Sequence, residues 1–380
     1  MKIEVVKYNN IRIEKCRFGN INEVEEHHVI FHVIQINKRF DQQLRDIRNA
    51  LDGYLITADR NIRPVFKRYF LSDAENQLPE VLESEKSQSP CAVSIVQQPP
   101  LDGTKITLWV YMKSDVEAES SESFFIEKKN GYSHIWMTGK YLLKGNAFRQ
   151  TEQLFNQYAA GLKQVGCCLK DNCIRTWLFV PNIGLNYGDV VSARKDFFAT
   201  QDLTEYTHYI ASTGIEGTVN HPEARVVLDA YAVGGLQKRQ QRYLHAPSHF
   251  CPTHQYGVTF ERGTVVDYGD RSHIFISGTA SINNKGEIVY QGDVENQTCR
   301  MLENIDALLA EADAGFENVA CMVVYLRDIA DYQAVNTILE KRMGTIPKVI
   351  VWAPVCRSGW LVEAECIAIK RNNNPTYANL

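Results

Sequence analysis

Apolar and polar positions along this chain recur in blocks. QTEQLFNQYAAGL (150–162) and QTCRMLENIDALL (297–309) both open on Gln-Thr and then space their apolar residues three and four apart, the pattern of an amphipathic helix. Each is followed by an apolar strand, CIRTWLFVPNI or VACMVVYLRDI, and then by a second helix, YGDVVSARKDFF or YQAVNTILEKRM. A fainter copy precedes them: FDQQLRDIRNALDGYL (40–55) as helix, VFKRYFLSD (65–73) as strand and ENQLPEVLES (75–84) as a helix weakened by Pro79. Every copy ends in two apolar strands: AVSIV with TKITLWVYM, HYIAS with EARVVLDAYAV, and KVIVWAP with WLVEAECIAI.

Hairpins are expected before the second and third copies' first helices, in YSHIWMTGKYLLKGNAF and in SHIFISGTASINNKGEIVYQGD, whose Asn-Lys-Gly tolerates the positive φ of a turn. The first copy offers only HHVIFHVIQINKR there. The predicted fold is therefore α+β: three tandem ββαβαββ units of about 100 residues, each with helices on one face of a mixed sheet. The expected boundaries give a degenerate unit over 1–115, a second over 124–235, a third over 250–371 and a frayed tail over 372–380. The polar, serine-rich KSDVEAESSES marks the first junction.

Bulk properties narrow the function classes. A length of 380 residues suits several units, and 44% hydrophobic with 23% charged residues is an ordinary globular balance. No run approaches the ~18 apolar residues of a membrane helix. MKIEVVKYNN shows no apolar stretch that reads as a secretory signal, so a cytoplasmic protein with reduced thiols at its ten cysteines is expected. A net charge of −4 gives no general attraction to phosphate backbones, and no nucleic-acid or membrane partner is expected.

A hairpin ending in SG, a helix opening with QT, a strand of the type VVYLRDI and a last strand of the type VEAECIAI together resemble the RidA/YjgF family. Those proteins are homotrimers with sites between subunits, so three such units in one chain imply a covalent pseudo-trimer, as a monomer or a higher oligomer of such rings. The third unit is similar to the chorismatases in FERG (260–263), SGTASI (277–282), GDVENQT (292–298) and CRSGWLVEAE (356–365), and the second in ASTGIEG (211–217). Glu261 departs from that pattern, which has a small polar residue there. The resemblance implies a small dianionic substrate, chorismate, cleaved at its enolpyruvyl ether to pyruvate plus 3-hydroxybenzoate, the favoured product, or a dihydroxycyclohexadiene carboxylate.

Two carboxylates call for guanidinium forks, and Arg262 and Arg357 are the candidates. Breaking the ether requires a proton on the enolpyruvyl side chain, which a buried carboxylic acid can deliver without a cofactor. Superposing the last strands places Glu363 against Val227 and Ile106, so only the third copy carries an acid there. Arg357 likewise has no arginine counterpart in the other two copies. Glu365 shares the parity of Glu363 but matches the acidic Asp229, and reads as structural. Cys356 has no base nearby in sequence and is expected to line the pocket, where the resemblance links it weakly to the hydroxybenzoate product. Gly278 is expected where backbone approaches a ligand, and Tyr256 at the pocket mouth or in interface packing.

HAPSHFCPTH (245–254) holds zinc-ligand residue types at a spacing that fits no standard site, and its two prolines read as an irregular linker. The alternative functions are RidA-type imine or enamine deamination and non-enzymatic binding of small acids. The deaminases carry an arginine two residues after a proline in the penultimate strand, whereas here Pro347 is followed by Lys348 and Val349.

Overall fold

The computed structural model describes residues 1–20, 22–58 and 60–380. The first unit contains β1 (Lys2–Tyr8), β2 (Ile11–Phe18), β3 (Glu26–Val33), α1 (Phe40–Ile56), β4 (Ile62–Leu71), α2 (Ala74–Glu85), β5 (Ala92–Gln97) and β6 (Ile106–Ser114). The second follows with β7 (Glu117–Ser120), β8 (Phe125–Lys129), β9 (Tyr132–Tyr141), α3 (Ala147–Gln164), the single turn α4 (Leu169–Asn172), β10 (Cys173–Phe179), α5 (Ile183–Thr200), β11 (Ala211–Ile215) and β12 (Val227–Gly234). The third is made of β13 (Gln241–Leu244), β14 (Gly263–Asp267), β15 (Arg271–Ala280), α6 (Val294–Glu311), β16 (Val319–Leu326), α7 (Tyr332–Met343), β17 (Lys348–Trp352) and β18 (Val362–Arg371).

These strands form three six-stranded sheets of one topology: counted within its unit, each sheet runs first, second, third, sixth, fourth, fifth. Only the fourth and fifth strands of each pair in parallel. The fold is thus α+β with three tandem RidA-like units, but each unit has one strand more at its start than the expected ββαβαββ. The outer strands β7 and β13 lie before the expected starts at 124 and 250.

The first unit holds the full set of strands, including a β1–β2 hairpin that the sequence reading did not expect. Asn9 takes φ 50° in its turn, which the short polar side chain of asparagine tolerates. That strand was hidden because Val5, Val6 and Tyr8 are exposed, so β1 lacks a buried apolar face. The expected hairpin in 132–148 is instead one long strand, β9, paired with β8. In the third unit the Asn-Lys-Gly turn leads only to an isolated bridge between Ile282 and Ile288.

Strand alternation sorts the faces. In β12, Leu228, Ala230 and Ala232 pack with α3 and α5, while Val227, Tyr231 and Val233 join a central core shared by all three units. Aromatic rings cross that core: Phe66 stacks on Trp136 at 4.9 Å, Trp136 meets Tyr231 at 4.2 Å, and Tyr231 meets Phe275 at 5.5 Å. The sheets therefore turn their inner faces to one another and hold their helices outside. Among the described residues no helix is long and apolar enough to cross a membrane.

The repeated glutamine explains itself. Gln297 of α6 accepts the Leu361 N–H and donates to the Gly359 carbonyl, both at 2.9 Å; Gln150 of α3 accepts from Arg225 at 2.7 Å and donates to Glu223 at 2.9 Å. In both units the helix thus fixes the loop that feeds the last strand.

Candidate functional site

Glu363, Arg262, Arg357, Cys356, Gly278 and Tyr256 all line one cavity of about 380 Å³ between the second and third units. Local folding places them. Arg327, at the end of β16, donates to the carbonyls of Trp360 and Arg357 at 2.9 Å and also to that of Val355, tying down the loop that carries Cys356 and Arg357. Segment 211–217 reaches across from the second unit: Ile215 bridges to Val355, and the Glu216 N–H meets the Pro354 carbonyl at 3.2 Å. The Glu216 carboxylate accepts the N–H groups of Asn182 and Ile183 at 2.8 Å, which anchors the start of α5 at the same junction.

A bulge shapes the floor. In β15, Ser277 and Gly278 stand opposite the single residue Glu365, and in β9 the pair Thr138 and Gly139 stands opposite Asp229. β3 pairs with β6 without a register shift, and Leu108 takes the acid's place there. At Gly278 a Cβ would lie 2.2 Å from Oε1 of Glu363, so only glycine leaves room for that carboxyl.

Glu363 is 5% exposed and makes no ion pair among the described residues. Burial, then the neighbouring charge of Glu365, push its carboxyl up to about 8 against the opposing pull of Arg262 and Arg175. Arg262 lies among Phe250, Tyr256 and Phe260, its guanidinium carbon 4.5–5.4 Å from the ring centres, and hydrogen-bonds to the Tyr256 hydroxyl. Its Nε is buried without a partner. Arg357 sits over Tyr256 and Trp360 at 4.8 and 4.9 Å and reaches the Gly286 carbonyl at 3.4 Å. Burial pushes the Cys356 thiol up to about 12, which favours its neutral form in the cavity wall.

The sequence reading missed what the second unit contributes. Arg194 of α5 lines the cavity, fully buried, bonded to the hydroxyls of Thr259 at 3.2 Å and Ser212 at 3.3 Å and to that of Tyr187; burial holds its pKa below the usual arginine value. Tyr187 and Ser212 accompany it. The signal was present in the pattern: Arg194 falls on the buried stripe of α5 with Val190, Ala193 and Phe197, and aligning YGDVVSAR with YQAVNTIL sets it against Leu339. Glu261 instead turns away from the cavity and accepts the Tyr209 N–H at 2.7 Å. The 245–254 segment contributes Phe250 beneath Arg262, and no group of three metal-ligand side chains is assembled among the described residues.

The equivalent junction between the third and first units holds a smaller cleft of about 110 Å³, lined by Tyr332 and Lys348 on one side and Arg12, Glu14, His32 and Asp102 on the other. Its charges pair internally. Arg12 meets Glu14, His32 lies 3.4 Å from Glu14 and 3.5 Å from Asp102, and the Lys348 backbone N–H donates to Glu14 at 2.9 Å.

A family pattern described as endoribonuclease L-PSP matches residues 264–370. A RutC family protein of Pyrococcus abyssi is 38% identical over 100 residues, which are 26% of this chain and 78% of that protein. The chain belongs to the RutC family. Other members include a 3-aminoacrylate deaminase RutC of Acinetobacter baylyi, 32% identical over 65 residues, 17% of this chain and 52% of that one. A chorismatase crystal structure superposes with a TM-score of 0.64, covering 80% of this chain and 92% of its own at 18% identity. That likeness establishes the fold: this RutC-family chain has chorismatase architecture over most of its length.

Proposed function

We propose that the protein cleaves the enolpyruvyl ether of chorismate at the cavity between its second and third units. The observation that carries this reading is one buried acid, held protonated to about pH 8, inside a cavity where three arginines have no carboxylate partner among the described residues. Buried cations without counter-charges cost several kcal/mol, which a bound dianion offsets. The cavity volume lies within the usual range for small-molecule sites.

Arg262 and Arg357 anchor the carboxylates, with Arg194 as a further cation from the second unit. Glu363 gives its proton to the methylene carbon of the enolpyruvyl group, leaving an oxocarbenium-like centre at the ether carbon. Without water, the C4 hydroxyl oxygen bonds to C3 as the C3–O ether bond breaks, its proton returning to Glu363 and pyruvate leaving with the ether oxygen. The resulting epoxide opens at C4 and loses a ring proton to give 3-hydroxybenzoate. Addition of one water to the ether carbon instead gives a hemiketal that splits to pyruvate and the dihydroxycyclohexadiene carboxylate. Cys356 in the wall favours the route without water. No step calls for a metal or an organic cofactor.

Purified protein mixed with chorismate is expected to release pyruvate, and Glu363→Gln to release about 10²- to 10⁴-fold less. No pyruvate from the wild type would sink the proposal, full activity in the variant would sink the acid's role, and chromatography names the ring product. The Acinetobacter relative supports imine deamination as a second reading. Against it, the position expected to carry the deaminase arginine is Val349, and the adjoining cleft is already neutralised; ammonia release from 2-aminoacrylate would restore it.

A further inference from the structure

We infer that Glu365 is a positioning residue for Glu363, and that Arg175 of the second unit holds it in that role. Both acids lie on one face of β18, two residues apart. The Glu365 carboxylate accepts from Arg175 Nη2 at 2.6 Å and from the Trp177 indole at 2.7 Å, with Arg68 of the first unit 3.7 Å away. Thr213 joins this acid to the floor of the cavity: its hydroxyl bonds to Glu365 and accepts the Gly278 N–H at 3.0 Å. The chain Arg175, Glu365, Thr213, Gly278 thus ends at the glycine against which the Glu363 carboxyl lies.

The second unit shows what this arrangement does without an acid to serve. There Asp229 takes the place of Glu365, pairs with Arg68 at 2.9 Å and accepts the Gly139 N–H directly at 2.6 Å. It clamps the same bulge, while Val227 stands where Glu363 would be. In the third unit the clamp also places a negative charge beside a protonated carboxyl.

The other polar groups around Glu363 are Arg262 just before β14, Arg175 from β10, Tyr325 from β16, Cys356 and Arg357 from the loop before β18, Tyr256 from the segment before β14, and Tyr187 and Arg194 from α5. Burial raises all three phenols and the thiol, so they stay neutral through pH 9, and Glu365 is the one other carboxyl among these neighbours. Its charge and the hydroxyl link act separately and can be removed separately.

The test uses the full chain labelled with ¹³C at glutamate carboxyls, the Glu363 signal being assigned by its loss in Glu363→Gln. Glu365→Gln keeps the shape and the acceptor for Trp177 but removes the charge, and the Glu363 midpoint is expected to fall by about one to two pH units. Arg175→Gln is expected to raise it, which supplies a second variant should the first not fold. Thr213→Val keeps the charges, so the midpoint stays while pyruvate release drops about tenfold. An unmoved midpoint in folded Glu365→Gln overturns the inference. The inference rests on the proposed reaction only for its kinetic readout: a shifted midpoint in a protein that leaves chorismate intact would refute that reaction and leave the pairing of the two acids standing.

Discussion

Two clefts in this molecule are built from the same elements, one between the second and third units and one between the third and first. In the first, Arg194, Arg262 and Arg357 have only hydroxyls, rings and carbonyls for company, and the acid among them is kept protonated. In the second, Arg12 pairs with Glu14 and His32 lies between Glu14 and Asp102, and the volume left is less than a third as large, 110 against 380 Å³. The lesson is that a repeated junction becomes a site by leaving charges unmatched and becomes a joint by matching them.

The largest effect that separates the two is expected at Glu363. Its folded-state pKa, about 8, lies above the ordinary 4.5, so between those values the folded protein holds a proton that the unfolded chain has lost. Stability therefore declines as pH rises through that window, and activity disappears above about pH 8. Glu363→Gln should cut pyruvate release about 10²- to 10⁴-fold yet stabilise the protein by roughly 2–4 kcal/mol at pH 9 and by little at pH 4, read from denaturant titrations. A destabilised variant at pH 9 would contradict the burial argument. Next comes Gly278→Ala, whose Cβ would displace the Glu363 carboxyl; activity is expected to fall on the order of 10²-fold while the melting temperature moves little.

Arg194→Leu makes the larger cleft resemble its counterpart, where Leu339 occupies that helix position. The expected outcome is a KM about 10- to 100-fold higher with stability equal or improved, since a buried unpaired cation is removed. A loss of stability would show that the arginine serves packing. In the other cleft the signs reverse. Burial opposes ionisation of Glu14, but His32, Arg12 and the Lys348 N–H outweigh it and hold the carboxyl at about 2. That contribution is present above about pH 4.5 and is lost as pH falls toward 2, so Glu14→Gln should lower stability at pH 7 by about 1–3 kcal/mol with activity unchanged. The smallest effect belongs to His32, which Glu14 and Asp102 raise against burial. Its contribution is present below pH 6.5 and fades as pH rises through the raised value, so His32→Gln should cost more at pH 6 than at pH 9.

Helices and inner strands were legible because their apolar periods are long and uninterrupted, as in 150–162 and 297–309. The outer strand β1 was not, because its apolar side chains face solvent and leave no buried stripe to read. The cavity's third-unit wall could be read by comparing the copies with one another, since Glu363 and Arg357 are exceptions at positions where the sister units carry other residue types. Arg194 was not legible because it lies on the buried stripe of α5, a position where helical periodicity predicts an apolar core residue. Its partners Thr259 and Ser212 lie 65 and 18 residues away, distances no local pattern reveals. The role of Gly278 depended on a bulge, and a bulge is a register shift between strands far apart in sequence.

The strands run in one order in all three sheets, yet they belong to a single chain, and that has a consequence for change. In a ring of identical subunits any substitution at a junction appears three times over, so a cleft can gain an acid or an unpaired arginine only if the whole ring tolerates three of each. Linked end to end, the units inherit separately. One junction can become hazardous enough to do chemistry while its sisters keep the ring closed.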